Sequence, residues 1–575
     1  MDIRRIAPDF WASPQIAPED VGVAVAQGAR AIVCNRPDGE SEDQPATAAI
    51  RAAAEAHGLP FRAIPVKPGQ IGEQDVAAFR AALDELEGPV LAFCRTGSRS
   101  ATLWGLAKAP RLSADAILQA AGGVGYDLAP LRPRLEASRG DVIALAPAAR
   151  HDVVIVGGGA GGISTAASLL KRNPKLDIAI VEPRAEHYYQ PGWTLVGGGV
   201  FNRAETMRPM AEVMPAGVKW VRTAAAAFAP EKSQVVLEDG TRLGYRALVL
   251  SPGLHLDWDA IDGLRETLGA NGVTSNYMFD LAPYTWELTQ GLRSGRAIFT
   301  QPPMPIKCAG APQKAMYLSA DHWTREGRIG DVQIEFCNAG GVLFGVADYV
   351  PALMEYIRKY EVRLGLNERL VAVDGPARTA TFAVKDGDAE HMVEKPFDML
   401  HVTPPQRPTD LMRASPFGDA AGWVEVNHQT LQHVRYGDVF GLGDGCSAPN
   451  AKTAAAVRKQ APVVAENIVA MLKGEALRAV YDGYGSCPLT VERGRIVLAE
   501  FLYGGKVQPS LPTWLIDGRR PSRLAWLLKE RMLPWLYWNG MFKAREWLAR
   551  PTLLPMTPKA HEALPACETG AARAS

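Results

Sequence analysis

The sequence predicts an α/β protein of several domains, and three observations support this fold class. Strand-like and helix-like segments alternate across residues 1–125, and a glycine-rich turn joins a strand to a helix near residue 157. Aromatic and basic residues with helical periodicity lie at 521–550. With 575 residues, the chain is long enough for about three or four domains, each with its own core.

Composition and charge exclude several classes of protein. The chain has 62 basic and 62 acidic residues, so we expect no nucleic-acid partner. Its seven scattered cysteines form no Cys-x-x-Cys pattern, which predicts neither a metal site nor a disulfide framework. The N-terminus lacks an apolar signal segment, and no apolar run reaches about 18 residues. We therefore expect a cytoplasmic protein, with contact to one face of a membrane left open.

The glycine-rich turn has the pattern of a dinucleotide-binding site. Residues 152–156 are typical of a buried parallel strand, and 163–170 of the helix that follows. Between them, Gly157, Gly159 and Gly162 allow a tight turn, close approach of the backbone to a pyrophosphate, and close packing of the helix.

A second strand completes this pattern. It is predicted at 175–181, and Glu182 follows it directly. An acidic residue about 20 residues beyond the glycines binds the ribose in such sites. The order of strand, glycines, helix, strand and acid therefore predicts a dinucleotide site.

The N-terminal α/β domain carries a cysteine on a strand-to-helix turn. A strand is predicted at 89–93, the loop CRTGSRS at 94–100, and a helix at 101–107. Backbone N–H groups in such a loop point into one concave site, which suits a reactive thiol at Cys94 and an anion. Arg99 can hold an oxyanion or a persulfide through two hydrogen bonds.

Together with NRPDGE at 35–40, this loop resembles the phosphatase-like family of β-lactamase-hydrolase-like proteins, which is related to dual-specificity tyrosine phosphatases. True phosphatases have one residue more between cysteine and arginine than this chain has between Cys94 and Arg99. The shorter spacing resembles that of rhodanese-type sulfurtransferases, so we expect Cys94 to transfer sulfur. Phosphate-ester hydrolysis with Asp38 as general acid, or a buried inert cysteine, are the alternatives.

Seven motifs between residues 151 and 548 indicate the chemistry of the larger part, because a nucleotide fold alone does not define it. They are HYYQPGWTLVGGG (187–199), IKCAGAPQKAMYL (306–318), AGGVLFGV (339–346), HVTPPQRPTDL (401–411), GLGDG (441–445), NAKTAAAVRKQAP (450–462) and YDGYGSCPL (481–489). In this order they closely resemble the type II sulfide:quinone oxidoreductases. The resemblance implies a flavin disulfide reductase fold, with two Rossmann-like domains, FAD on the first, and a C-terminal membrane-binding part.

The same resemblance implies cofactor contacts. Asp444 resembles the aspartate that hydrogen-bonds the ribityl chain of FAD, and Gln190 and Ala225 are further candidates for contact with FAD. The helix that begins near Lys452 would direct its N-terminus at the flavin pyrimidine, where negative charge collects on reduction. Lys452 would add a fixed cation.

Cys308 is the expected redox cysteine, which by resemblance holds persulfide sulfur and contacts the flavin. It follows a predicted strand at 297–300, where an NADH-using relative would carry a second glycine fingerprint. This chain has none there, so a pyridine nucleotide substrate is not expected.

By the same resemblance, the partner of Cys308 is expected directly after the pair Gly443-Asp444, a position that Gly445 occupies in this chain. Cys446, one residue later, is the expected partner and Cys337 the alternative, while Cys487 is expected to be structural or pocket-lining. A disulfide partner must lie within about 4.4–6.8 Å between Cα atoms.

The implied reaction is oxidation of sulfide. Hydrosulfide would attack the cysteine pair, two electrons would pass to FAD and then to quinone, and a thiol or sulfite would take the sulfane sulfur, with Cys94 as a candidate recipient. Two alternatives stay open. One is a phosphatase domain beside a quinone reductase that uses another donor, and the other is a non-catalytic sulfur carrier or redox sensor.

Residues 521–550 predict two amphipathic helices that meet at Pro534. Their apolar faces comprise Leu524, Leu527, Leu528, Trp535, Trp538 and Phe542. Cations between them are Arg523, Lys529, Arg531, Lys543 and Arg545. Such helices fit peripheral contact with the inner face of a membrane, where quinone dissolves. Packing on the core or at a homodimer interface is the alternative.

The predicted domain plan has four parts. They are a phosphatase-like or sulfurtransferase domain at 1–125, a linker at 126–150, an FAD-dependent oxidoreductase at 151–500, and membrane-associating helices with a tail at 501–575.

Overall fold

The computed structural model describes residues 1–109, 112, 114–137 and 149–555. Parts of the predicted linker and of the C-terminal tail lie outside these residues. The chain forms two compact units. One comprises Met1–Arg150 with Thr223–Gly244, and the other comprises His151–Arg222 with Tyr245–Ser575.

The first unit contains a five-stranded sheet with helices, as the alternation of segments predicts. In spatial order its strands are Arg4–Ala7, Phe10–Ser13, Val90–Phe93, Ala31–Cys34 and Phe61–Ala63. The first pair is antiparallel and the others are parallel. The helices are Asp20–Ala26, Thr47–Ala56, Glu73–Glu85, Ser98–Lys108 and Ala114–Gly122. Every residue of Val90–Phe93 is buried, so the loop after this strand starts from a rigid point.

The first unit also includes an antiparallel hairpin of strands Ala225–Ala229 and Gln234–Leu237. The hairpin pairs onward with residues 242–244.

The second unit contains the predicted nucleotide-binding sheet. Its parallel strands include Val218–Val221, Ile178–Val181, Ala149–Val156, Arg242–Leu250 and Val439–Gly441. The helix Ala160–Arg172 begins directly after Gly159, and it packs on the long helix Ala454–Leu472.

A second parallel sheet supports the cysteine motifs. In spatial order its strands are Val273–Thr274, Met399–His401, Gly295–Gln301, Val332–Asn338 and Arg363–Leu366. The helix Ala311–Arg325 packs on this sheet and on the antiparallel pair Gly485–Glu492 and Arg495–Phe501. A separate antiparallel sheet is formed by Glu368–Asp374, Thr379–Asp386 and Ala389–Pro396.

The C-terminal segment differs from the two helices predicted. Helical turns run without a break through Pro534, as Arg523–Leu527, Leu528–Met532, Leu533–Trp535, Leu536–Gly540 and Met541–Lys543. The second and fourth of these are π-helical, and wider turns avoid the clash between a proline ring and the preceding turn. Among the described helices, none has the length and apolarity needed to cross a bilayer.

Candidate active site

Most of the residues predicted to bind a cofactor line one large cavity of the second unit. The cavity has a volume of about 1020 Å³ and begins at the glycine-rich turn. The predicted residues that line it are Gly159, Glu182, Gln190, Cys308, Asp444 and Lys452. The fold has therefore brought side chains from distant parts of the chain to a single site.

Steric contacts explain two glycines of the turn. Gly157 has φ of 104°, and a Cβ there would lie 2.3 Å from the carbonyl oxygen of Ser251. A Cβ at Gly162 would lie 2.0 Å from the carbonyl oxygen of Gly157. Gly159 is different, because nothing lies within 4 Å of its Cβ position and it lines the cavity. The turn thus presents open backbone and a helix N-terminus to a ligand.

The polar groups around the turn fit a dinucleotide cofactor. Glu182 accepts hydrogen bonds from the N–H groups of Gly158 at 2.8 Å and Arg184 at 2.9 Å, which fixes its carboxylate beside the turn. The hydroxyl of Thr194 and the side-chain amide of Asn276 are buried, and within the described residues they have no hydrogen-bond partner. Both residues line the cavity. Buried polar atoms without partners are expected to bind a ligand or water.

Lys452 supplies a buried cation at the other end of the cavity. Its Nζ donates to the carbonyl oxygens of Asp444 at 2.7 Å and Cys446 at 3.0 Å. The ammonium also lies 4.1 Å from the centroid of the Trp423 ring. Burial lowers the pKa of Lys452 and raises the pKa of Asp444. The helix Ala454–Leu472 begins two residues on, so its N-terminus and the lysine act in the same place.

Gln190 and Ala225 occupy different surroundings. Gln190 Oε1 accepts a hydrogen bond from Lys307 Nζ at 2.7 Å at the cavity wall. Burial lowers the pKa of Lys307 to about 8. Ala225 begins the strand Ala225–Ala229 of the first unit and is half-buried, and its contact with FAD stays a prediction.

Two thiols that are far apart in the sequence meet at this cavity. Cys308 Sγ lies 3.8 Å from Cys487 Sγ. Cys308 has a left-handed backbone with φ of 51°, and its N–H donates to the carbonyl of Lys452 at 2.9 Å. Cys487 lies in the strand Gly485–Glu492, whose residues Ser486 and Pro488 line the cavity. The two sulfurs are in contact, so a small movement would join them in a disulfide.

The structure therefore gives Cys308 a different neighbour from the one expected. Cys446 Sγ is directed to the carbonyl oxygen of Gly443 at 3.2 Å, and Cys337 Sγ contacts Lys395 Nζ at 3.4 Å. Cys487, and neither Cys446 nor Cys337, is therefore the thiol whose sulfur contacts Cys308. Sequence proximity to the Gly-Asp pair misled the prediction, because the strand that carries Cys487 packs directly on the helix after Cys308.

A buried lysine activates one member of the pair. Lys314 Nζ lies 3.2 Å from Cys308 Sγ. The hydrogen bond with Cys487 and the Lys314 ammonium hold the pKa of Cys308 well below its usual range. The hydrogen bond to Cys308 and burial raise the pKa of Cys487 well above its usual range. The contacts thus favour the thiolate at Cys308 and the thiol at Cys487.

Substituting alanine for Gly310 is expected to separate the two sulfurs. A Cβ at this position would lie 2.5 Å from Cys487 Sγ and 2.5 Å from Leu489 Cδ2, so the strand must shift. We expect the rate of disulfide formation, followed by titration of free thiols, to fall by at least about tenfold. Gly330→Ala is the matched control, because nothing lies within 4 Å of its Cβ position. Equal rates in both variants would contradict the role of the contact.

The C-terminal segment contributes to the same site, which corrects three of its predicted positions. Trp538 and Phe542 are buried at 5% and 1% exposure and pack against His187 and Tyr189, instead of forming an outward face. Lys529 is also buried. Its Nζ donates to Thr490 Oγ1 at 3.1 Å and to the carbonyl of Pro488 at 3.3 Å, and burial holds its pKa well below its usual range.

Other apolar side chains of this segment are exposed, among them the predicted Leu524, Leu527 and Trp535. The exposed apolar residues are Leu524, Leu527, Met532, Trp535, Trp547 and Leu548. Several of them also line the mouth of the cavity.

The first unit has its own cysteine site. Cys94 follows the strand Val90–Phe93 and is fully buried, with its N–H donating to the carbonyl of Ser13 at 3.3 Å. Gly97 has φ of 85° and precedes the helix Ser98–Lys108. Arg99 lies in the first turn of that helix and is buried. The predicted loop between strand and helix is therefore present.

Asp38, the general acid in the phosphatase alternative, accepts two hydrogen bonds from Thr47. Its Oδ1 accepts hydrogen bonds from the N–H of Thr47 at 2.8 Å and from the Thr47 hydroxyl at 2.7 Å. These bonds lower the pKa of Asp38, so the carboxyl stays ionised at neutral pH. A general acid must carry a proton, whereas these bonds stabilise the ionised form of Asp38, so its role as general acid stays a prediction.

In the described part of the chain, no group of three or more His, Cys, Asp or Glu side chains is arranged to hold a metal ion. A glycine-rich nucleotide turn whose cavity is lined by Cys308, which contacts a second thiol, defines the second unit as an oxidoreductase of the disulfide-reductase class. Residues 151–279 match the pyridine nucleotide-disulphide oxidoreductase family.

The chain belongs to the sulfide:quinone oxidoreductase family. The mitochondrial sulfide:quinone oxidoreductase of Dictyostelium discoideum is 42% identical over 404 residues, which cover 70% of this chain and 88% of that protein. The X-ray structure of the sulfide:quinone oxidoreductase of Aquifex aeolicus superposes with a TM-score of 0.56 at 19% identity, covering 68% of this chain and 92% of that one. That structural likeness supports the fold alone.

The N-terminal part has a separate relationship. Residues 2–111 match the phosphatase-like domain of β-lactamase hydrolase-like proteins. The β-lactamase hydrolase-like protein of Agrobacterium fabrum is 43% identical over 84 residues, which cover 15% of this chain and 20% of that protein. The two predicted resemblances are thus confirmed.

Proposed function

We propose that the chain oxidises sulfide to sulfane sulfur and passes two electrons through FAD to a quinone. The contact between Cys308 and Cys487 at the wall of the nucleotide cavity carries this proposal. Membership of the sulfide:quinone oxidoreductase family supports it, because the chain aligns with most of the length of the relatives that carry this name. A bound flavin would supply a two-electron acceptor that can reduce quinone.

The pKa difference between the two thiols sets the direction of the first step. In the oxidised pair, hydrosulfide attacks Cys487 Sγ. The new S–S bond forms as the bond between Cys487 and Cys308 breaks. Cys308 leaves as a thiolate, because the thiol of lower pKa is the better leaving group and Lys314 stabilises its charge. Cys487 then carries the persulfide, which replaces the expectation that Cys308 holds it.

The following steps restore the pair. A thiol or sulfite attacks the outer sulfur of the Cys487 persulfide, so that one S–S bond forms, another breaks, and Cys487 is left as a thiolate. Rejoining the two thiolates as a disulfide releases one electron pair. Cys308 lines the cavity, so it is positioned to pass that pair to the cofactor.

Different residues of the cavity suit different parts of FAD. The open backbone at Gly159 and the carboxylate of Glu182 suit the pyrophosphate and the ribose. Asp444 and Lys452, near the start of the helix Ala454–Leu472, suit the ribityl chain and the flavin pyrimidine. The exposed apolar residues of the C-terminal segment would rest on the inner face of the membrane and admit quinone to the same cavity.

Anaerobic titration with sulfide tests this function. We expect sulfide together with excess sulfite, which removes the persulfide sulfur from Cys487, to bleach the flavin absorbance of the purified holoenzyme, and a soluble quinone to restore it. NADH should leave the absorbance unchanged. Bleaching by NADH without bleaching by sulfide would favour a quinone reductase with another donor.

For the first unit we propose that Cys94 receives sulfane sulfur. The short spacing between Cys94 and Arg99 and the structural use of Asp38 support this role over phosphatase activity. Loading of Cys94 with sulfur from inorganic polysulfide, read by peptide mass spectrometry, is the direct test.

A further inference from the structure

A second cavity is lined in part by the C-terminal segment, and most of its charged residues are basic. Its volume is about 1050 Å³. Four cations and two acids line it, so their formal charges leave an excess of two positive charges. These residues are Lys171, Lys459, Arg545, Arg550, Asp482 and Glu546. The balance of charge favours an anionic ligand.

One of the two acids is already neutralised by neighbouring cations. Glu546 accepts a hydrogen bond from Lys171 Nζ at 3.2 Å and another from Arg172 Nη1 at 2.7 Å. The carboxylate of Glu546 and the ammonium of Lys171 are therefore occupied with each other. The other charged residues of the lining are Lys459, Arg545, Arg550 and Asp482.

The three cations of this remainder have no anionic partner. Within the described residues, the side chains of Lys459, Arg545 and Arg550 form neither a hydrogen bond nor an ion pair. Lys459 is half-buried, and its ammonium lies 5.4 Å from the centroid of the Tyr484 ring. Burial and the charge of Arg458 lower the pKa of Lys459. An anion in the cavity would stabilise the charged form of this lysine.

Two exposed apolar residues line the second cavity together with these charges. Trp547 and Leu548 are 56% and 64% exposed, and both also line the cofactor cavity. The ring of Trp547 stacks on Trp535, with centroids 5.7 Å apart. The guanidinium of Arg545 lies 5.9 Å from the centroid of the Trp535 ring. Exposed tryptophans beside cations are typical of the boundary between lipid headgroups and acyl chains.

We propose that the second cavity binds the headgroup of an anionic phospholipid. Lys459, Arg545 and Arg550 bind the phosphate diester, and Trp547 and Leu548 contact the acyl chains. A lipid fits better than a soluble phosphate, because the unpaired cations and the exposed apolar side chains line the same cavity. This inference rests on the proposed contact of the C-terminal segment with a membrane, and it names the class of lipid that this contact selects.

Titration of the full-length holoenzyme with a short-chain lipid tests the proposal. Dihexanoylphosphatidylglycerol is kept below its critical micelle concentration, so that it presents single headgroups and no charged surface. We expect isothermal titration calorimetry to show saturable one-to-one binding. This binding should be tighter by at least about tenfold than that of dihexanoylphosphatidylcholine, whose headgroup is zwitterionic.

Substituting one cation of the cavity should weaken the binding of the anionic lipid. We expect a loss of affinity of about fivefold for Arg550→Gln and for Lys459→Gln, because each removes one charge beside the phosphate. Arg550 is exposed, so its replacement should leave the fold undisturbed. Lys543→Gln is the matched control, because it removes an exposed cation of the same segment that does not line the cavity. Its affinity should lie within about twofold of the unmodified chain.

Three outcomes would overturn the lipid site. They are equal affinity for the two lipids, equal affinities of Arg550→Gln and Lys543→Gln, and binding of inorganic phosphate as tight as that of the anionic lipid. The last outcome would assign the cavity to a soluble phosphate. Flavin bleaching by sulfide with sulfite, followed by reoxidation with a soluble quinone, is measured on the same protein without lipid. It reports the proposed oxidation of sulfide separately from the binding of lipid.

Discussion

Replacing Cys487 by serine is expected to lower sulfide-dependent quinone reduction by on the order of 1000-fold, because no disulfide with Cys308 can then form. The loss should occur in the first half-reaction, so sulfide with excess sulfite should no longer bleach the flavin. Reduction of the flavin by dithionite and its reoxidation by quinone should be unchanged. Stopped-flow absorbance under anaerobic conditions measures both halves separately.

Cys446→Ser is the matched control for this prediction. Cys446 is also buried and lies near the same cavity, but its thiol donates a hydrogen bond to the carbonyl oxygen of Gly443. We expect this variant to keep its activity within about threefold of the unmodified enzyme. Inactivation by Cys446→Ser, with activity kept in Cys487→Ser, would show that the pair is Cys308 and Cys446.

Replacing Lys314 by methionine is expected to move the acidic limb of the pH–rate profile to higher pH by at least about one unit. The thiolate of Cys308 is the required form, and its low pKa depends on the hydrogen bond with Cys487 and on the Lys314 ammonium. Removing the cation raises the pKa of Cys308, so less thiolate exists at low pH. The loss of rate is therefore largest in acid and shrinks as the pH rises.

Lys314→Arg keeps the positive charge and should retain most of the shift in the pKa of Cys308. Lys171→Met removes an exposed lysine whose contacts lie with Glu546 and Ala544, and it should leave the profile in place. A uniform loss of rate at every pH in Lys314→Met would mean that the lysine packs the site without activating the thiol.

Local sequence patterns predicted the parts of the fold that depend on neighbours in the chain. The glycine spacing at Gly157, Gly159 and Gly162 is a backbone requirement, which a short segment expresses completely. The same holds for the Cys94 loop, where strand, turn and helix follow one another within 94–108. These elements appear where the sequence places them.

The pairing of Cys308 with Cys487 could not be read from local patterns, because 179 residues separate them. The contact depends on the packing of a helix on a β-hairpin and on the space that Gly310 leaves open. Gly310, two positions after Cys308, and the motif YDGYGSCPL around Cys487 were the sequence signals of this contact.

The C-terminal segment shows a second limit of prediction from sequence patterns. A helical period of 3.6 residues predicts Trp538 and Phe542 on an outward face, but each π-helical turn inserts an extra residue. That residue rotates the following side chains by about 100°. These turns separate Trp538 and Phe542, which are buried, from Trp535, which is exposed. Hydrophobic periodicity carries no information about such insertions.

This segment forms one wall of the cavity. Tyr537 is hydrogen-bonded to His187 at 2.7 Å, and Phe542 and Trp538 pack against the helix that begins at the glycine turn. The two partners of that hydrogen bond lie 350 residues apart in the chain. Proteolytic removal of the segment is therefore expected to loosen the retention of a bound dinucleotide while the nucleotide sheet stays folded.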